Sequence, residues 1–198
     1  MRHPVLAATL LATLALPCAA QNAITVYGGY RGGGSFDEST SPFQSISLKS
    51  SATGAISFDW AIDPSRQAQV FASYQSADLP ATGTTPTVPM TVSYLHLGGT
   101  NYFEGGIGRG AYVVGGLGVT RLAPGLSGLS AEFRPSLNLG LGYQLPISGP
   151  LSVRFELRGY FTLINSNTNL FCSGGCVVAI KGDGFTQADA LIALSFGF

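Results

Sequence analysis

Charge is what this sequence has least of. Asp, Glu, Lys and Arg make up 10% of its 198 residues, against about 25% in soluble domains. A soluble domain so poor in charge would turn large apolar patches to water and aggregate. Ten cations balance ten anions, and no basic cluster stands out, which argues against nucleic acid and against steering of acidic substrates. Long apolar runs are missing too. Beyond the first twenty residues nothing approaches the roughly 18 consecutive apolar residues of a membrane-spanning helix. Histidine and cysteine are scarce: His96, Cys172 and Cys176 are the only ones after residue 20. Two thiolates without a nearby imidazole do not complete a zinc shell, so neither a metal nor a cofactor is expected.

What is present is period-two alternation. From Phe133 the chain reads FRPSLNLGLGYQL, with Phe133, Pro135, Leu137, Leu139, Leu141, Tyr143 and Leu145 at odd positions and Arg134, Ser136 and Asn138 between them. Pro146–Pro150 reads as a turn, and the alternation resumes with Leu151, Val153, Phe155, Leu157, Phe161 and Leu163 against Arg154, Glu156 and Arg158. Period two puts the two sets on opposite faces of a strand, and two such strands with a tight turn make a hairpin. One face is apolar throughout and the other carries ions, the pattern of strands with lipid outside and a polar lumen inside. Apolar on average and free of spanning helices, such a chain has one solution in lipid. It is all-β, a closed antiparallel transmembrane β-barrel, because lipid tolerates no unpaired strand edge.

In chain order, residues 1–20 read as a cleaved secretory signal peptide. Arg2 supplies the positive start, Val5–Leu16 the apolar stretch and Cys18-Ala19-Ala20 a small-residue cleavage site. A lipid anchor on Cys18 is the rival reading, which the preceding Leu16-Pro17 fits poorly. The domain is then 21–198, a barrel with strands expected near 23–31, 51–62, 66–76, 90–103, 110–122, 133–145, 151–163 and 184–198. These make about eight, an even number as bacterial barrels require. The facing of the fourth and fifth strands is ambiguous. Connections after even-numbered strands are short and those after odd-numbered ones long. With the N-terminus in the periplasm, every long loop falls outside the cell, near 32–50, 77–89, 123–131 and 165–183.

On these grounds the sequence resembles the small outer-membrane β-barrels of Gram-negative bacteria, of OmpA/OmpX type and including the opacity-protein-like relatives. The resemblance covers nearly all of the chain after residue 20 and rests on the leader, the eight segments and the ending LIALSFGF. It implies an outer-membrane location among lipid and lipopolysaccharide. It also implies that Ile192, Leu194, Phe196 and Phe198 form the signal read by the barrel-assembly machinery. It implies no reaction, since this architecture hosts adhesins, anchors, small-solute channels and a few enzymes.

Candidate chemistry is sparse. Asp59, Glu132, Arg134, Arg154, Glu156, Arg158 and Asp189 fall on the polar faces and are expected to form a barrel-interior network. An eight-stranded barrel has room only for its own side chains, and ions there must be paired. With the turn centred near Ser148, Glu156 faces Gly140 and Arg158 faces Asn138, so the bare Gly140 leaves space for charge. A polar path for small solutes is the alternative use of these residues. Cys172 and Cys176, a pair in an exported loop, read as a disulfide. His96 lies in YLHLGG, where Gly98 stands at the position in which lipid-deacylating barrels carry a serine, so no catalytic role is expected. Gly106, Gly108 and Ala111 match a dinucleotide-binding spacing only nominally, because no helix follows. Pro135 removes a ladder hydrogen bond and is expected near the extracellular rim, at a bulge. The function expected is a non-enzymatic, structural or adhesin-like scaffold whose loops meet an extracellular ligand or host surface. A narrow channel for small or hydrophobic solutes is the alternative, and an enzyme acting on outer-leaflet lipid the remote one.

Overall fold

Of the twelve strands among the described residues, eight hydrogen-bond edge to edge until the sheet meets itself. The computed structural model describes residues 22–37, 45–80, 87–104, 106–126, 128–164, 170–172, 176–178 and 184–198. The barrel strands are β1 (Ala23–Gly33), β4 (Ser51–Ala61), β5 (Arg66–Leu79), β6 (Val88–Tyr102), β7 (Gly110–Pro124), β8 (Glu132–Ser148), β9 (Leu151–Leu163) and β12 (Gly184–Gly197). All neighbours are antiparallel, in the order β1-β12-β9-β8-β7-β6-β5-β4, and β1 also pairs with β4 to close the ring. Two short ladders stand on the connections at one end. They are β2 (Ser35–Asp37) with β3 (Ser45–Ser47), and β10 (Leu170–Cys172) with β11 (Cys176–Val178). The segment 32–50, expected to be loop alone, thus contains a small ladder. The proposed leader, Cys18 included, lies outside the described residues.

The outer surface is the apolar one. Val26, Leu97, Leu117, Leu139, Leu141, Leu157, Ile192 and Leu194 are each more than half exposed. Aromatic rings ring both ends of this belt. Phe58 packs 5.8 Å from Trp60 and 6.3 Å from Phe198 near the chain termini, and Tyr30, Tyr74, Phe133 and Phe161 lie toward the other end. Burying such a surface in hydrocarbon, with its ends at the headgroups, satisfies it; water does not. Outward charges stand near strand ends: Arg121 three residues from the end of β7, and Arg66 and Asp78 at the two ends of β5, close enough to the rim to reach headgroups.

Pro135 lies outward on β8, opposite Val119 and three residues from the strand's start. The ladder is regular there. The irregularity is instead at the other end of β8, between Pro146 and Ser148. It shifts the pairing by one residue. The turn itself lies at Gly149-Pro150 instead of near Ser148, and the β8–β9 register differs by two residues from that expected. Glu156 consequently faces Gly142, not Gly140, and Arg158 faces Gly140, not Asn138.

The short turn between β4 and β5 is organised by Asp63. Its carboxylate accepts the backbone N–H groups of Ser65 and Arg66 and the Arg66 guanidinium. These bonds, the Ser65 amide first, lower its pKa to about 2. A lowered carboxylate stabilises the fold above its unfolded pKa and loses that contribution as pH falls through its folded value. Acidification from about pH 4 to about pH 2 is therefore expected to loosen this turn first, seen as faster amide exchange at Ser65 and Arg66, and Asp63→Asn should abolish that pH dependence. For the belt, Leu139→Arg near the middle of β8 is expected to cost about 2–4 kcal/mol in lipid vesicles, measured by denaturant unfolding. A negligible cost would mean that this face does not meet hydrocarbon.

Candidate functional site

Among the described residues, the lumen holds its fully buried ions in three stacked pairs. Nearest the chain termini, Arg154 Nη1 lies 3.3 Å from Asp59 Oδ2, while Asp59 also accepts Ser57 Oγ at 2.8 Å and Gln69 Nε2 at 2.6 Å. In the middle, Arg158 Nε donates to Glu156 Oε1 at 2.7 Å, and Tyr112 donates to the other oxygen at 2.8 Å. Above it, Arg31 grips Asp189 with both Nε (2.6 Å) and Nη2 (2.7 Å), and Tyr160 adds a third bond at 2.8 Å. Rings cover the cations: Arg31 sits 4.9 and 4.8 Å from Tyr94 and Tyr160, and Arg158 3.7 Å from Phe71. Buried charge of this kind holds only because each carboxylate is fully bonded.

Five of the seven residues read from the sequence, Asp59, Arg154, Glu156, Arg158 and Asp189, come together here. Glu132 and Arg134 do not join them. They pair with each other at 2.6 Å on the opposite rim and are partly exposed. Arg31 and Phe71 are among the residues of the site that were missed, with the polar partners Ser57, Gln69, Tyr112 and Tyr160. Arg31 hides in the glycine-rich YGGYRGGG, where alternation is blurred, although its odd parity with Tyr27 was a usable signal. Phe71 breaks the polar face of β5 and gives no polar clue at all.

Room for the network comes from a glycine, but a different one from that expected. Tyr112, Gly142 and Glu156 form one row across β7, β8 and β9. A Cβ on Gly142 would lie 2.2 Å from the Tyr112 ring, so only glycine lets the phenol cross β8 to Glu156. The GGLG stretch serves closeness of strands: a Cβ on Gly118 would meet the Leu95 carbonyl at 1.9 Å.

Several bonds span the bore. Arg158 on β9 reaches Gln69 on β5 at 3.1 Å, and Tyr94 on β6 reaches Gln187 on β12 at 2.9 Å; each pair lies four strands apart around a ring of eight. His96 Nε2 meets Ser136 Oγ at 2.9 Å, both buried. The other ring nitrogen, Nδ1, has no partner among the described residues, so a nucleophile–base pair is present without an orienting acid.

Beyond this layer the lumen becomes apolar, contrary to the expected wholly polar inner face. Leu79, Val88, Met90, Val92, Leu122, Ile164 and Phe185 fill it, with Leu48 tucked in and Leu129 packed against them from the connections. On β6 the pattern inverts here, Thr91 and Ser93 facing outward and Met90 and Val92 inward, which is why its facing could not be read. At the opposite mouth the β6–β7 turn folds across the opening. Ile107 packs on Tyr102, Tyr112 and Val114, and its N–H bonds to Pro64 O at 3.0 Å.

Cutting one partner from the upper pair leaves an uncompensated buried ion. Asp189→Leu is expected to destabilise by about 3–5 kcal/mol. Arg31→Met combined with Asp189→Leu should recover most of that loss, as read by unfolding in lipid vesicles. Additive losses in the double variant would mean that the two side chains are not coupled.

No protein-family model matches the sequence, and no curated protein matches it. Solved structures do. Neisserial surface protein A is similar with a TM-score of 0.58 at 11% identity, over 89% of this chain and 99% of that one. The outer-membrane protein AlkL in lipid bilayers is similar with a TM-score of 0.51 at 11% identity, over 90% of each chain. At such identity the likeness is one of fold, and the fold is that of the small eight-stranded outer-membrane β-barrels.

Proposed function

We propose that this protein is an outer-membrane barrel with a closed lumen, serving as a rigid scaffold that displays its loops outside the cell. The observation that carries this reading is the pair of hydrogen bonds spanning the bore, Arg158–Gln69 and Tyr94–Gln187. They leave no room for a water-filled column at their level, and the apolar stopper blocks the mouth above them. The long connections all leave from the stopper's end, opposite the chain termini, and loops on a rigid frame are where contacts are made. Adhesion to an extracellular ligand or host surface is the role such loops suit.

Three further assignments belong to this reading. Residues 1–20 direct export and are removed. Ile192, Leu194, Phe196 and Phe198, outward and about half exposed, present the alternate-residue edge read by the assembly machinery before lipid and lipopolysaccharide cover it. Cys172 and Cys176 form a loop-tip disulfide. They stand directly opposite each other in the β10–β11 ladder, where Cα atoms lie roughly 4.5–5.5 Å apart, within the range a disulfide bridges.

A narrow channel for hydrophobic solutes is the second reading, favoured by the apolar lining of the outer third of the lumen. It requires the bonds below to part. Planar-bilayer recording separates the two: the scaffold is expected to give no discrete conductance steps, and steady single-channel openings would sink it. Uptake of an apolar solute into vesicles without ion conductance would instead support the second reading. Catalysis by His96 and Ser136 would require substrate to pass the stopper, and loss of a lipid-modifying activity in His96→Ala would be its signature.

A further inference from the structure

At the mouth beside the chain termini, a cavity of about 380 Å³ lies between the folded β6–β7 turn and the wall formed by β8, β9, β12 and β1. Its charged lining residues are Arg109 and Arg154, and no carboxylate lines it. Arg154 is 1% exposed and held firmly. Its Nε donates to Gln144 at 2.9 Å and its Nη1 to Tyr27 and Asp59, both at 3.3 Å. Its Nη2 makes no hydrogen bond among the described residues. Arg109 is exposed on the turn itself and has no ion-pair partner among the described residues. Gln67, Ser152 and Ser195 complete a polar floor.

From this geometry we infer a periplasm-facing site for a small oxyanion, a carboxylate or a phosphate group. A fixed guanidinium with a free terminal nitrogen presents one arm of the planar fork that such groups accept. A second, exposed guanidinium at the entrance, that of Arg109, supplies the charge that Asp59 has cancelled on the first. The cavity is too small for a macromolecule and admits only a head group or a chain end. The site lies below the bonds that span the bore, so it is independent of whether the lumen conducts.

The test uses the full chain in lipid nanodiscs, titrated with inorganic phosphate and, separately, with the dipeptide D-alanyl-D-alanine, at constant ionic strength and followed by calorimetry. Saturable binding of either probe is expected, and the tighter one identifies the oxyanion as phosphate or carboxylate. Arg109→Gln should weaken binding about tenfold, the order of one lost charge-assisted contact of ~1.5 kcal/mol. Arg121→Gln, at the far rim, should leave it unchanged. Arg154→Lys, which keeps the charge opposite Asp59 but removes the fork, should weaken it while the unfolding midpoint stays near that of the parent chain. Absence of saturable binding by both probes, or binding that Arg109→Gln leaves intact, overturns the site.

Discussion

Closure of the backbone ladder is the constraint from which the rest of the structure follows. β1 pairs along its length with β12 on one side and β4 on the other, so no barrel strand has a free edge. In hydrocarbon an unpaired N–H or C=O costs several kcal/mol, and closure is the one arrangement of strands that avoids it. Once the ring closes at eight strands, its bore is only as wide as its own side chains can fill. The composition of the two faces is then dictated: apolar where lipid is the solvent, and mutually satisfied polar groups or apolar packing within.

The interior solves that second problem by balance. Three arginines and three carboxylates face inward between the two mouths, each cation beside its own anion and several under aromatic rings. Tyr27, Tyr112 and Tyr160 add their hydroxyl groups to the ions, so the rings pack and bond at once. Where the polar set ends, hydrophobic residues take over the filling. The mouths are closed by different means, one by an apolar stopper and the other by a turn laid across the opening.

Much of this was legible in the sequence because lipid outside and ions inside make the period-two signal strong. β8 and β9, with leucines against arginine and glutamate, could be read almost residue by residue. β6 and β7 could not: Met90 and Val92 turn apolar side chains inward where Thr91 and Ser93 face out, and glycines at both parities of β7 carry no facing signal. The one-residue bulge at Pro146–Ser148 was invisible for a different reason. A bulge adds an unpaired residue to one strand only, and its place shows only once the partner strand is set beside it. Arg31 and Phe71 were lost because their roles depend on other strands, Arg31 on Asp189 beside it in β12 and Phe71 on Arg158 across the bore.

The way the interior ions are distributed along the chain bears on the order of assembly. Arg31 waits for Asp189, 158 residues later, and Thr25 for Ser195, 170 residues later; Asp59 waits for Arg154 at a separation of 95. The N-terminal strands therefore carry charges whose partners arrive only with the last hairpin and the final strand. Until the ring shuts, those ions must stay hydrated, and water must leave the bore as it closes. Loop-closure entropy over such distances makes this a late, all-at-once event, and the same contacts that come last in assembly are the ones that must all break before the finished barrel can open.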